Sequence, residues 1–508
     1  MVGSRRSPAG WLLVYLSAPS HGNAPAPSWH AGVSLLDGWL PLTIQIVAGV
    51  LLVVVIGWRT PRWRLLWLPV AAGVGLLVAL LAKWYVDANA LATDPAPVSL
   101  WVWIGVTAAA LAVAVLGWRG ARWWRRALSV PVIPLGLLCT GLVLNQWVGY
   151  FPTVQEAWAQ ISAGPLPDQV DAAQLSALQG KGSTMTAGRV VAVNTPDTAS
   201  HFTHREEYVY LPPAWFSGAR HPQLPALMMI GGEFNTPADW IRTGGAISTV
   251  DAYAKAHHGQ APILVFADSG GSFNNDTECV NGPRGNAADH LTKDVRSYVV
   301  SHFGASAAPA DWGVVGFSMG GTCAVDLAVM HPELFGSFED IAGDEGPIVG
   351  TKQLTIKDLY GGSEAAWAKF DPLTVMAAHA PYTDTAGWFD NSSSGDRPGG
   401  PGRRGGPNNG HGGNGGWQGG HGGQHRHGGA MSRPGPVGFG GRDIPGDGMG
   451  GQTADAQKLC AAAGKKGISC TLHYQPGGHT WQLASSAFSA ALPWLAERVH
   501  TPTAPAGA

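Results

Sequence analysis

At 508 residues the chain exceeds one ordinary domain, and two or three units are expected. A charged fraction of 13% and 22 tryptophans suit a chain that spends part of its length in lipid, and a net charge of −2 gives no argument for a nucleic-acid partner. The balance is uneven: ten Lys/Arg stand against three Asp/Glu from Met1 to Tyr150, leaving 22 against 31 beyond.

Residues 1–37 read as an N-terminal extension. Arg5 and Arg6 precede a short apolar run, Trp11 to Leu16, which is near the lower limit of a signal-peptide core, so a disordered extension is the preferred reading. Residues 38–150 hold four apolar segments, Gly38–Trp58, Leu65–Val86, Leu100–Trp118 and Ala127–Tyr150. Each approaches the ~20 residues that cross a bilayer as a helix. Trp39, Trp58, Trp84, Trp101, Trp103, Trp118 and Trp147 crowd their ends, as an interfacial aromatic belt would. Arg59, Arg62 and Arg64 follow the first span, and Arg119, Arg122, Arg125 and Arg126 the third; the loop between the second and third has Asp87 and Asp94. The positive-inside rule puts both arginine loops in the cytoplasm and everything after Tyr150 outside. No Asp or Glu lies within a span, so the module reads as an anchor, not an ion path.

Residues 151–187 form a polar, helix-capable linker before a unit at 188–500 and a tail at 501–508. Strands are expected at Arg189–Asn194, Glu207–Leu211, Ala226–Ile230, Ile263–Ala267, Gly313–Gly316, Ser337–Ala342, Thr385–Phe389 and Ser469–Tyr474. Helical patterns fall at Ile247–His257, Ala287–Phe303, Thr322–Met330, Ala454–Ala463 and Trp481–Val499. The alternation predicts a doubly wound, mostly parallel α/β sheet. Residues 397–441 interrupt it with a glycine-rich, disordered insertion carrying His411, His421, His425 and His427. The close spacing of the last three suits zinc or nickel, but no carboxylate or thiolate accompanies them. Cys139 reads as core. Cys279, Cys323, Cys460 and Cys470 allow two disulfides outside the cytoplasm, Cys279–Cys323 being favoured, with buried free thiols the alternative.

Val314-Val315-Gly316-Phe317-Ser318-Met319-Gly320-Gly321 has a strand before the serine and a helix after it. That is the pattern of a nucleophile elbow, in which Ser318 is the nucleophile and the Met319 N–H donates to an oxyanion. A second donor is expected from Gly232 or Glu233, after the strand that ends at Ile230. His479, in a Gly-rich loop between the last strand and the last helix, is the base. The acid should fall between them in sequence. Asp396 is chosen, with Asp390 and Asp447 as rivals and Asp455 weaker because it reads as the first turn of a helix.

Gly316–Gly321, the Leu211-Pro212-Pro213 turn before a strand ending in Gly231-Gly232, and Gly478-His479-Thr480-Trp481 together resemble the esterase family that includes the antigen-85-type mycolyltransferases. The likeness runs over most of Gly188 to Val499. Asp276-Thr277-Glu278-Cys279, Gly361-Gly362-Ser363-Glu364-Ala365-Ala366-Trp367 and the four spans are similar to membrane-anchored actinobacterial members. The resemblance implies an α/β-hydrolase fold, a Ser–Asp/Glu–His triad, no metal or other cofactor, and acyl-ester chemistry at the cell envelope. At the acid a serine run and the insertion replace the family's Gly-x-x-Asp turn. The expectation is a membrane-anchored, extracytoplasmic serine esterase taking an acyl ester or lipid substrate. Transfer to a sugar or lipid hydroxyl, as in a mycolyltransferase, is the alternative. A non-catalytic envelope binding module on the hydrolase fold is the reading from another class, and the Ser–His pair argues against it.

Overall fold

The computed structural model describes residues 32–57, 59–88, 96–162, 166–179, 181, 185–218, 220–392 and 449–503. The extension before residue 32, Trp58, Asp94, Asp396, Asp447, the insertion with its four histidines, and residues 504–508 lie outside them. The four apolar segments fold as α1 (Trp39–Ile56), α2 (Leu68–Ala88, entered through a π turn at Trp63–Trp67), α3 (Val98–Gly117) and α4 (Trp123–Val148). Each is long and apolar enough to cross a membrane, in runs of 18 to 26 residues. A helix satisfies its backbone hydrogen bonds internally, which hydrocarbon demands. Small residues let α2 and α3 meet closely: a Cβ on Gly75 would lie 2.4 Å from the Gly105 carbonyl oxygen.

The two arginine loops share one end of the bundle. Arg59 Nη1 donates to the Gly117 carbonyl at 2.9 Å, and a Cβ on Gly57 would strike the Arg125 guanidinium. At the other end Gly149 closes α4 in the left-handed conformation, φ 69° and ψ 27°. There Asn145 grips Phe151 on both sides, donating to its carbonyl at 2.9 Å and accepting from its N–H at 2.6 Å.

Beyond these four helices come β1 (Gln169–Val170), β2 (Arg189–Val193), β3 (Glu207–Leu211), β4 (Ala226–Ile230) and β5 (Ile263–Ala267), then a small hairpin of β6 (Asn281–Gly282) and β7 (Gly285–Asn286). They are followed by β8 (Trp312–Phe317), β9 (Ser337–Ile341), β10 (Ala386–Ser392) and β11 (Ser469–Gln475). Nine strands make one sheet in the order β1-β2-β3-β5-β4-β8-β9-β10-β11. β3 pairs antiparallel with both neighbours and every other pairing in the sheet is parallel. Every residue of β4, β5 and β8 is buried, because helices cover both faces. Met228, Val265 and Val314 pack with Arg296–Phe303 and Met319–Met330 on one side; Leu227, Leu264 and Val315 pack with Ala246–Ala256 and Trp481–Arg498 on the other. This is the doubly wound sheet of an α/β-hydrolase.

One feature goes beyond the sequence reading. The 151–187 segment forms helices at Val154–Ile161 and Ala172–Leu178, and it also supplies β1, so the sheet begins ahead of Gly188. Two residues are too few to carry a periodic signal. Both disulfides form, Cys279–Cys323 and Cys460–Cys470, while Cys139 is a buried thiol in α4.

Candidate active site

β8 is buried throughout and ends at Phe317; the helix Met319–Met330 begins two residues later. Ser318 makes the whole turn with φ 61° and ψ −125°, a backbone state that costs about 1–3 kcal/mol for a residue with a side chain. The flanking glycines are what allow it. A Cβ on Gly316 would lie 1.7 Å from the Gly320 carbonyl oxygen, and one on Gly320 would lie 2.3 Å from that of Ile230. Neither position has room for a methyl group. Ser318 N–H donates to the Ile341 carbonyl at 2.9 Å, which ties the turn to β9. Met319 opens the helix, so its N–H belongs to the first turn, where amides have no helical acceptor and the dipole favours negative charge.

The loop after β4 closes over this turn. A Cβ on Gly232 would sit 3.0 Å from Ser318 Cβ, and Gly231, Gly232, Glu233 and Met319 line one cleft with Arg205 and Asp268. Gly232 N–H already donates to Asn235 Oδ1 at 3.0 Å. Of the two expected donors, Gly232 is thus already engaged, whereas Glu233 N–H has no acceptor among the described residues. Its own carboxyl is pushed up to about 7 by burial, reinforced by Asp276 and opposed by Arg284.

His479 sits on the same edge. Its ring stacks on Phe317, the residue before Ser318, with centroids 4.9 Å apart. Phe317 in turn meets Trp481 at 5.2 Å, and Trp481 meets Trp240 edge-on at 5.2 Å. His479 Nδ1 lies 3.3 Å from Gln452 Oε1. Ser392, the last residue of β10, donates from its hydroxyl to the Gly477 carbonyl within the histidine loop.

Among the acid candidates, Asp390 is fully buried and turned to other partners. It accepts from Trp388 Nε1 at 2.8 Å and Gln475 Nε2 at 2.9 Å, and lies 2.8 Å from His473 Nδ1. Asp455 lies in the helix Met449–Lys465, its carboxyl raised to about 6 by burial and Glu345. Asp396 and Asp447 fall outside the described residues.

A buried ion-pair network supports the cleft. Asp268 accepts from Arg205 N–H at 2.6 Å and from its guanidinium at 2.6 Å, and Arg205 Nη2 donates to the Asn235 carbonyl at 2.8 Å. Burial pushes the Asp268 carboxyl up, but the Arg205 guanidinium outweighs it and holds the group below the usual carboxylate range. Glu207 accepts from Asp268 N–H at 2.9 Å and lies 3.1 Å from His290 Nε2. His204, Glu207 and His290 bring ligand-type atoms within 4.8 Å of one another. Both ring nitrogens of His204, however, face backbone carbonyls, Arg205 at 2.8 Å and Thr195 at 2.7 Å. Acceptors on both sides favour the doubly protonated ring and work against metal ligation there. Burial opposes that charge, while the two carbonyls and Glu207 raise its pKa.

Residues 202–398 match the family model named Esterase. The chain carries an esterase-family domain. A Corynebacterium glutamicum protein described as uncharacterized is 29% identical over 326 residues, spanning 63% of this chain and 74% of the relative. A solved ferulic acid esterase is 15% identical, with a TM-score of 0.41 over 62% of this chain and 98% of its own. The S-formylglutathione hydrolase of Agrobacterium tumefaciens gives 16% and 0.42 over 62% and 97%. MPT51 (FbpC1) of Mycobacterium tuberculosis gives 15% and 0.36 over 61% and 100%.

The esterase domain thus brings Ser318, Met319, Gly232, Glu233 and His479 to one sheet edge. Sequence reasoning did not find Gln452, which follows the long insertion with no motif around it. It also missed the Arg205–Asp268 pair, since 63 positions separate the partners. Asn235 had a signal: it stands two residues past Glu233, just beyond the stretch already singled out.

Proposed function

We propose that the chain is a membrane-anchored, extracytoplasmic serine esterase that cleaves acyl esters through an acyl-enzyme. The observation that carries this is Ser318 at the strained elbow, with the His479 ring stacked on the adjoining Phe317. His479 Nε2 takes the Ser318 hydroxyl proton as Oγ attacks the ester carbonyl. The tetrahedral oxyanion is held by the N–H groups of Met319 and Glu233, with Gly232 shaping the loop between them. The imidazolium then protonates the leaving alcohol as the ester C–O bond breaks. Water repeats the sequence and releases the acid. Gln452 fixes the tautomer, and Asp396 is assigned as the charge that stabilises the imidazolium, on chain order. The arginine loops gathered at one end of the bundle, together with two disulfides, support an extracytoplasmic domain.

The test uses the full chain in detergent with chromogenic esters and a fluorophosphonate probe. Ser318→Ala and His479→Ala should each lower kcat by about 10³-fold or more, with probe labelling lost in the serine variant. Turnover that survives Ser318→Ala sinks the reading. Trehalose added as acceptor separates hydrolysis from acyl transfer by whether acylated sugar forms.

A further inference from the structure

The anchor is seated directly on the catalytic edge. Gln482 Nε2 donates to the Gly149 carbonyl at 2.9 Å, one residue past the end of α4. Tyr150 donates from its hydroxyl to Asp239 Oδ1 at 2.7 Å. Asp239 is fully buried, and its other oxygen accepts from Thr236 N–H at 2.6 Å. A side chain at position 149 would break the seat, because its Cβ would fall 2.0 Å from Gln482 Oε1. Tyr150 packs onto the core that holds Trp240 and Trp481.

Both contacts lie beside the chemistry. Gln482 is three residues past His479, a chain length of at most ~10 Å. Asp239 follows the loop that carries Gly232 and Glu233. A span of 26 residues rises ~39 Å, so α4 crosses the ~30 Å hydrocarbon layer and ends among the headgroups, near Trp147. The sheet edge bearing Ser318 therefore lies at headgroup depth, whichever side of the membrane it occupies. An apolar feature marks the same edge. Phe273 is 71% exposed, and its ring stands 5.5 Å from that of Phe234, the residue between Glu233 and Asn235 of the cleft. Trp158, in the helix leaving α4, is 70% exposed.

We propose that the site takes its acyl ester from the bilayer itself: an amphiphile whose chain stays in the hydrocarbon while its ester, at headgroup level, reaches Ser318. Phe273 is the contact that enters the lipid interface beside the cleft. The inference rests on the serine-esterase reading and adds the substrate class to it. Any acylated headgroup, glycerol or sugar, offers the same ester at the same depth.

The experiment uses the full chain in phosphatidylcholine–phosphatidylglycerol vesicles. Three substrates are compared: water-soluble p-nitrophenyl acetate, a vesicle-embedded fluorogenic diacylglycerol, and a vesicle-embedded fluorogenic acylated disaccharide. Phe273→Ser should leave acetate turnover within twofold and lower turnover of at least one embedded ester by about tenfold, the loss expected for one buried aromatic ring. Phe273→Trp should restore it. The embedded ester that is cleaved names the headgroup. A fluorophore on Phe273→Cys, in a Cys139→Ala background, should be quenched by doxyl-labelled lipid. One on Ala308→Cys, ahead of β8 at the opposite edge, should not. Normal acetate turnover with neither embedded ester cleaved, equal losses on soluble and embedded esters, or an unquenched Phe273 label would overturn this inference alone. No turnover of any ester and no fluorophosphonate labelling of Ser318 would remove the serine-esterase reading, and this inference with it.

Discussion

At the scale of one residue, Glu233 bears on the proposed chemistry. Its carboxyl is neutral below about 7 and charged above, because burial and Asp276 oppose ionisation. A carboxylate beside the proposed oxyanion amide opposes the charge that develops there. We therefore expect kcat/KM to fall as pH rises through about 7, and Glu233→Gln to remove that limb of the profile. An identical limb in the variant would assign it elsewhere. Gly320 tests the elbow itself. Its Cβ would collide with the Ile230 and Gly231 carbonyls, which are backbone and cannot rotate away. Gly320→Ala should cost about 3 kcal/mol, at the upper end of overpacking penalties, and should lower the melting temperature and ester turnover together.

At the scale of elements, the buried runs of β4, β5 and β8 were legible because strands covered on both faces read as continuous apolar segments. The elbow and the histidine loop were legible because each joins a strand to a helix through small residues. The acid was not, since the segment after Ser392 enters the long insertion, and Asp390, readable as a candidate, is committed to His473. Gln452 and Arg205 escaped notice because their partners are brought near only by the folded sheet. The Cys279–Cys323 bond, by contrast, was anticipated. It fastens the β5–β8 connection to the helix behind Ser318 across 44 positions. Loop-closure entropy for that length is worth about 4 kcal/mol. Cys279→Ala with Cys323→Ala should thus lower Tm by roughly 10 °C. An unchanged Tm would mean that packing alone holds the connection.

Over the whole molecule, buried acids set the response to pH. Burial raises Asp276 to about 6 and Asp340 and Asp344 to about 7, and it lifts Glu278, Asp326 and Glu339 well above the usual range. Between the ordinary carboxylate range and these values the folded protein holds protons that the unfolded chain has lost, so stability falls as pH rises. His204, raised by its carbonyl partners and Glu207, acts in the same direction above pH 6.5. Asp268 and Asp294 are lowered, and their contribution is lost only in stronger acid, below 3.8. The full chain in detergent should therefore melt at a higher temperature at pH 5.5 than at pH 8, by differential scanning fluorimetry. The reverse order would show that these carboxylates are stabilised as anions. A different consequence follows from β1. Gln169 and Val170 cover the outer edge of β2, whose Val190, Val191 and Val193 are all buried. A protease cutting between residues 170 and 189 would shed a hydrolase body with that edge bare, an open template for strand pairing with its neighbours. Cleavage at that point would yield aggregating protein, whereas a cut ahead of Leu166 would leave the border strand in place.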